Sequence, residues 1–325
     1  MEKYQKGSWP STLKRAARFI SFSVLSAMLA LPLTMLSCSD RSHQPFKPDD
    51  GKVPLTISVG SVSQADFAGT LTRAKVNVGE ICSRLNFAIY TDTGDKVEKI
   101  QINQEAGEES FGTVSTELTV GMHRIVVIAH SGDKNPTMTD PNSITFNNTA
   151  GLKTTDVFCW SSEVEVTSQT GVVEVSLERV TAMFRLVLTD ESVPEGVAEM
   201  RFKYYGGSAA VNPFTGEGTV KSNQTETIAI STGQKRYEVY TIPRFEDKDG
   251  QRQPSMLKMT IEALDVSGNT VKSRVIENVP VTRNRITCCT GEYFEGGIME
   301  YTTLAFQGLD VEEDWAGTDD IPLNE

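Results

Sequence analysis

Three histidines in 325 residues leave little material for imidazole-based metal or acid–base chemistry. His123 and His130 are seven positions apart, an odd spacing that sends them to opposite faces of one strand, and His43 is far from both. The five cysteines include no CxxC pair, which excludes a zinc knuckle and a dithiol redox motif. No GxSxG elbow is present, and Gly216-Glu217-Gly218 lacks the third glycine of a phosphate-binding fingerprint. Asp247-Lys248-Asp249-Gly250 carries its glycine fourth, where a calcium loop needs it sixth, so it reads as a polar hairpin. Basic residues are outnumbered, 31 against 43, and the net charge of −12 argues against nucleic-acid binding. These absences favour a binding or structural protein over an enzyme, with no cofactor and no metal.

What is present begins with an export signal. Lys3, Lys6, Lys14, Arg15 and Arg18 precede an apolar stretch from Phe19 to Leu36 that ends in Ser37-Cys38. A basic head, an apolar middle and a small residue before the cut describe a secretory signal. The cysteine directly after Ser37 makes it a bacterial lipoprotein signal, with Cys38 lipidated and first in the mature chain. Removing residues 1–37 leaves 288 residues with a net charge of −16. Residues 38–52, with two prolines and few apolar groups, read as a flexible tether. Cys82, Cys159, Cys288 and Cys289 then remain, with their disulfide state open but small buried hydrophobes as the expected role.

Beyond the tether, apolar residues recur with a period of two. Val53, Leu55, Ile57 and Val59 share one face, as do Leu85, Phe87 and Ile89, then Val173, Val175 and Leu177, then Leu257, Met259, Ile261 and Ala263. Ile125–Ala129 is apolar without interruption, as expected of a strand covered on both faces. Glycine- and asparagine-bearing turns such as Ser267-Gly268-Asn269 separate the runs. The expected fold class is all-β, with two tandem antiparallel β-sandwich domains. Between Leu177 and Ala182 the apolar phase moves from odd to even positions, so the boundary falls there: an N-terminal sandwich over 53–179 and a C-terminal one over 180–325.

Several segments taken in order resemble the fimbrillin superfamily of Bacteroidales, the subunits and minor components of type V pili. They are Cys38, the 53–59 strand, Leu71-Thr72-Arg73-Ala74, Ser83–Tyr90, Leu177–Ala182, Asn278–Asn284 and Trp315. The resemblance implies two transthyretin-like domains in a surface lipoprotein of the outer membrane. It implies other fimbrial subunits as partners and adhesion as the biological role. It also implies a trypsin-like protease that cuts after an arginine in the loop following the first strand. Arg73 holds that place here, and Val53, Leu55, Ile57 and Val59 lie in the strand that would be displaced. The groove left behind would be filled by an extended terminal segment of another subunit. Shaft, tip and anchor roles are not separated by these residues.

Two further features stay open. Acids gather near the C-terminus at Asp310, Glu312, Glu313, Asp314, Asp319 and Asp320, interrupted by Trp315 and Ile321. They form either a solvated tail or an extended segment that docks its apolar residues on a sheet. The alternative function is a surface glycan-binding lipoprotein, with Tyr204, Tyr205 and Trp160 as a sugar platform.

Overall fold

A computed structural model describes residues 51–63, 78–92, 97–146, 154–295 and 300–301. Residues 1–37, Cys38, Arg73 and the acidic residues after Tyr301 lie outside the described residues. The strands before residue 180 are β1 (Lys52–Ser63), β2 (Arg84–Asp92), β3 (Val97–Glu105), β4 (Thr113–Thr119), β5 (Gly121–His130), β6 (Thr137–Asp140), β7 (Ser143–Thr145), β8 (Val157–Val166) and β9 (Val172–Arg179). One four-residue helix, α1 (Val78–Ile81), stands between β1 and β2. After residue 180 come β10 (Ala182–Leu188), β11 (Val197–Tyr205), β12 (Ala210–Asn212), β13 (Glu217–Gly218), β14 (Asn223–Ala229), β15 (Arg236–Thr241), β16 (Phe245–Lys248), β17 (Gln251–Pro254), β18 (Met256–Asp265), β19 (Thr270–Pro280), β20 (Ile286–Gly291) and β21 (Glu300–Tyr301). The chain is all-β, as the period-two patterning predicts.

Sheet I has the order β3-β2-β5-β8-β9-β1-β4. It is folded on itself, because β8 and β9 share only the pairs Phe158↔Arg179 and Cys159↔Glu178. The fold brings β1, β4 and β9 over β2, β5 and β8. Val53, Leu55, Ile57, Leu85, Phe87, Ile89, Val114, Leu118, Ile125, Val127, Val175 and Leu177 meet in the core between them. Sheet II (β15-β10-β20-β21) faces sheet III (β14-β11-β18-β19). Phe184, Leu186, Met200, Phe202, Tyr237, Leu257, Met259, Ile261 and Tyr293 fill that second core.

A third core joins the two halves of the sequence. Ala88, Tyr90, Val126 and Ile128, on the other face of β2 and β5, pack with Met138, Ile144, Val157, Cys159, Val180, Val211 and Ile242. Sheet IV (β13-β12-β7-β6) carries part of this layer, and its β7–β12 pairing sets Ile144 opposite Val211. This double cover is why Ile125–Ala129 is apolar at every position: odd residues enter one core and even residues another. His123 and His130 follow the same alternation, both buried on opposite faces.

Two expectations change. The sheets are not purely antiparallel, since β1 runs parallel to β9 and β10 runs parallel to β20. The strand expected over 53–59 continues to Ser63 through a bulge between Val59 and Ser61. The bulge inserts one residue, and Val62 turns into the core. Gly60 sits at this step, where an added Cβ would lie 3.1 Å from a Glu174 carboxylate oxygen. Elsewhere, Asp249 and Gly250, both at positive φ, close the β16–β17 hairpin.

Candidate functional site

The site of interest is β1 and the slot it occupies. Alternation places Val53, Leu55 and Ile57 inward, 6, 1 and 0% exposed, with Val59 half-buried and Val62 sealed after the bulge. Lys52, Pro54 and Gly60 are exposed on the opposite face, and Thr56 and Ser58 are half-buried there. β1 is not a sheet edge. It pairs with β4 in antiparallel register from Lys52↔Thr119 to Ser58↔Thr113. On its other side it pairs in parallel with β9, from Thr56↔Val172 to Ser63↔Glu178. The Thr56 amide donates to the Gly171 carbonyl at 3.0 Å, and the Val59 amide donates to the Gly112 carbonyl at 2.8 Å. The outer contacts are weaker, chiefly the Thr56–Ser115 hydroxyl pair at 3.2 Å.

β1 is therefore held by apolar side chains within and two backbone ladders along its sides. Full burial of a valine, leucine or isoleucine side chain contributes roughly 1.5–3 kcal/mol. Val53, Leu55, Ile57 and Val62 together contribute about 6–12 kcal/mol by the same scale. Withdrawal of β1 would also leave β4 and β9 with unpaired backbone groups facing one slot, a template for another strand. The segment 64–77, which contains Arg73, follows β1 directly in sequence.

The slot lies beside a polar latch between the two halves of the chain. Arg179, at the end of β9, donates from Nε to both Asp156 oxygens at 3.0 and 2.9 Å. Its Nη1 reaches Asn284 Oδ1 at 3.0 Å, and the Thr181 hydroxyl donates to Asp156 at 2.6 Å. The guanidinium also stacks over Phe158 at 4.8 Å. Burial pushes the Asp156 carboxyl up, opposed by Arg179 and the Thr181 hydroxyl. Arg283 adds a bond from Nε to the Arg179 carbonyl at 2.9 Å and an ion pair with Glu178 at 2.5 Å. Sequence patterning does not reveal this latch, because its members are 23–105 residues apart.

The proposed sugar platform does not form. Tyr204 is buried in the second core, its hydroxyl donating to Glu226 and to the Tyr240 carbonyl. Tyr205 points the other way on the same strand, exposed beneath Lys221. Trp160 is half-buried against the first core. Period-two alternation sends neighbouring tyrosines to opposite faces, so the pair cannot present one surface. Cys82, Cys159, Cys288 and Cys289 are free and buried. Burial pushes the Cys159 and Cys289 thiols up to about 12, far from a reactive thiolate. Among the described residues, no group of three or more His, Cys, Asp or Glu side chains is placed to hold a metal ion.

A family model described as "Family of unknown function (DUF6562)" matches residues 49–317. The chain belongs to this family. No curated protein matches it. Among solved structures, it is similar to a candidate adhesin from Bacteroides ovatus at 12% identity and a TM-score of 0.44, over 70% of this chain and 82% of that one. A candidate cell adhesion protein from the same species gives 13% identity and 0.44, over 84% and 99%. The tip fimbrial protein Mfa3 of Porphyromonas gingivalis gives 10% identity and 0.38, over 77% and 98%. At these scores the functional argument rests on the chain's own residues.

Proposed function

We propose that this protein is a cell-surface fimbrial component, anchored through lipidated Cys38, that assembles with other fimbrial subunits by exchanging β1 for a strand of a neighbour. The observation that carries this reading is the position of β1: inside a sheet, between β4 and β9, with four sealed apolar side chains and Arg73 following in the next segment. In this reading, residues 53–179 and 180–325 are two tandem transthyretin-like sandwiches that share the third core. A trypsin-like protease cuts after Arg73 in a shaft subunit, whereas an anchor subunit keeps Cys38 joined to the body at the outer membrane. An incoming strand regains the backbone ladders of β4 and β9, and its alternate side chains refill the pockets of Val53, Leu55, Ile57 and Val62. Adhesion then follows from the polymer that such subunits build, and no catalytic step is needed.

The test is limited trypsin digestion of the purified mature protein. N-terminal sequencing should find Ala74 as the new first residue, and electron microscopy should show polymers in the digested sample alone. Digestion at Arg73 without any change in oligomeric state would overturn strand exchange. Radiolabelled fatty acid should mark the wild type but not Cys38→Ala; equal labelling would remove the lipid anchor.

A further inference from the structure

β1 fits its slot with one residue too many. Its first inward residues step by two against β4: Val53 lies opposite Leu118, Leu55 opposite Thr116 and Ile57 opposite Val114. β9 also keeps a period of two, turning Val173, Val175 and Leu177 toward the first core. Opposite those three stand Ile57, Val59 and Val62, so one step of two on β9 meets a step of three on β1. Gly60 is the residue left over, because Val59 pairs with Val175 and Ser61 with Ser176. A bulge of this kind leaves its extra residue unpaired and disrupts the ladder around it. It also obliges a glycine, since a Cβ at position 60 would lie 3.1 Å from Glu174 Oε2, tighter than ordinary van der Waals contact. Glycine loses more freedom on ordering than any other residue and packs no side chain within a strand.

The walls of the slot have no such step. The bulge lies beyond the last β4 pair, Ser58↔Thr113, so a strand without it keeps every β4 pair. On the other side, such a strand would set its apolar residues opposite Val173, Val175 and Leu177 in unbroken alternation. We infer that β1 is a placeholder in a slot shaped for a regular strand. The partner that replaces it is an extended segment of another subunit, running parallel to β9. It carries apolar residues at every second position, from the place of Val53 to the place facing Leu177, and no extra residue at the place of Gly60. This inference rests on the strand-exchange reading and names what drives it: the incoming strand gains the continuous ladder that Gly60 interrupts. Cleavage alone then leaves β1 seated, and its departure awaits a strand that fits better.

The test uses the full chain nicked within 64–77, with β1 and the body both present. Two fluorescent peptides are offered in excess: residues 52–63 as they stand, and the same segment with Gly60 deleted. Size-exclusion chromatography reads the peptide retained on the body and the native β1 released. The peptide lacking Gly60 should displace β1 at a concentration at least tenfold lower than the peptide that keeps it. Equal potency, or an advantage to the glycine-bearing peptide, would overturn the inference while leaving strand exchange standing. Entry of neither peptide would overturn strand exchange and this inference with it. A scrambled form of the Gly60-deleted peptide should not enter; if it displaces β1 equally well, retention reflects apolar adhesion alone and the inference fails.

Discussion

Cutting the chain between β1 and α1 isolates the energetics of the slot. A recognition site for a sequence-specific protease, inserted in the 64–77 segment, would sever the connection without touching a described contact. The two backbone ladders and the burial of Val53, Leu55, Ile57 and Val62 remain after the cut. Their apolar contribution of about 6–12 kcal/mol is comparable with the whole stability of a typical domain, about 5–15 kcal/mol. The severed strand should therefore stay bound in native buffer, co-eluting with the body in size-exclusion chromatography. In dilute monomer, with no neighbour's strand to replace it, its release should require denaturant and should coincide with loss of the β-sheet circular dichroism of the first half. In the nicked protein, Ile57→Ala should weaken retention by about 2–5 kcal/mol, the range for a fully buried aliphatic truncation. Thr56→Ala, on the half-buried outer side, should change it by less than about 0.5 kcal/mol. Free elution of the β1 peptide from a body that keeps its unfolding midpoint would refute the reasoning, because the slot would then be dispensable.

Two further perturbations test the surrounding framework. Arg179→Met leaves the half-buried Asp156 carboxylate without its cation and should cost about 1–3 kcal/mol in urea unfolding, with much of the loss recovered by adding Asp156→Asn; a double-mutant cycle showing no coupling would dismiss the latch. His130 donates from Nε2 to Asn86 Oδ1 while its Nδ1 accepts from the Gly132 amide, and burial pulls its pKa down to about 4. The unfolded chain therefore binds the extra proton first, so stability falls as pH drops from about 6.5 toward 4. From pH 7.5 to 5 this group alone should remove about 2 kcal/mol, and His130→Gln should lack that component when its pH profile is compared with wild type.

Much of the fold is a local matter and was legible. Alternation at Val53–Val59, Leu85–Ile89 and Leu257–Ala263 reports one buried and one wetter face, and the unbroken Ile125–Ala129 run reports two covered faces. Leu177 belongs to the first core, Val180 to the third and Ala182 to the second, so neighbouring residues of the chain enter different cores here. Tyr204 and Tyr205 show how adjacency misleads: side chains next to each other in a strand are parted by the sheet, and only burial decides which one is offered to a ligand.

Partners in a sheet are set by chain closure over long distances, and no local pattern encodes them. That β1 lies between β4 and β9, parallel to one and antiparallel to the other, depends on residues 59 and 116 positions away in sequence. The Asp156–Arg179–Asn284 latch and the shared third core arise in the same way, from segments whose chemistry has meaning only once packing brings them together. The alternation at 53–59, 85–89, 173–177 and 257–263, with its inward residues, and the all-β class were legible in the chain itself, because a period of two is a property of each strand alone. Packing sets which strand is clasped on both sides, because its neighbours come from segments far away along the chain.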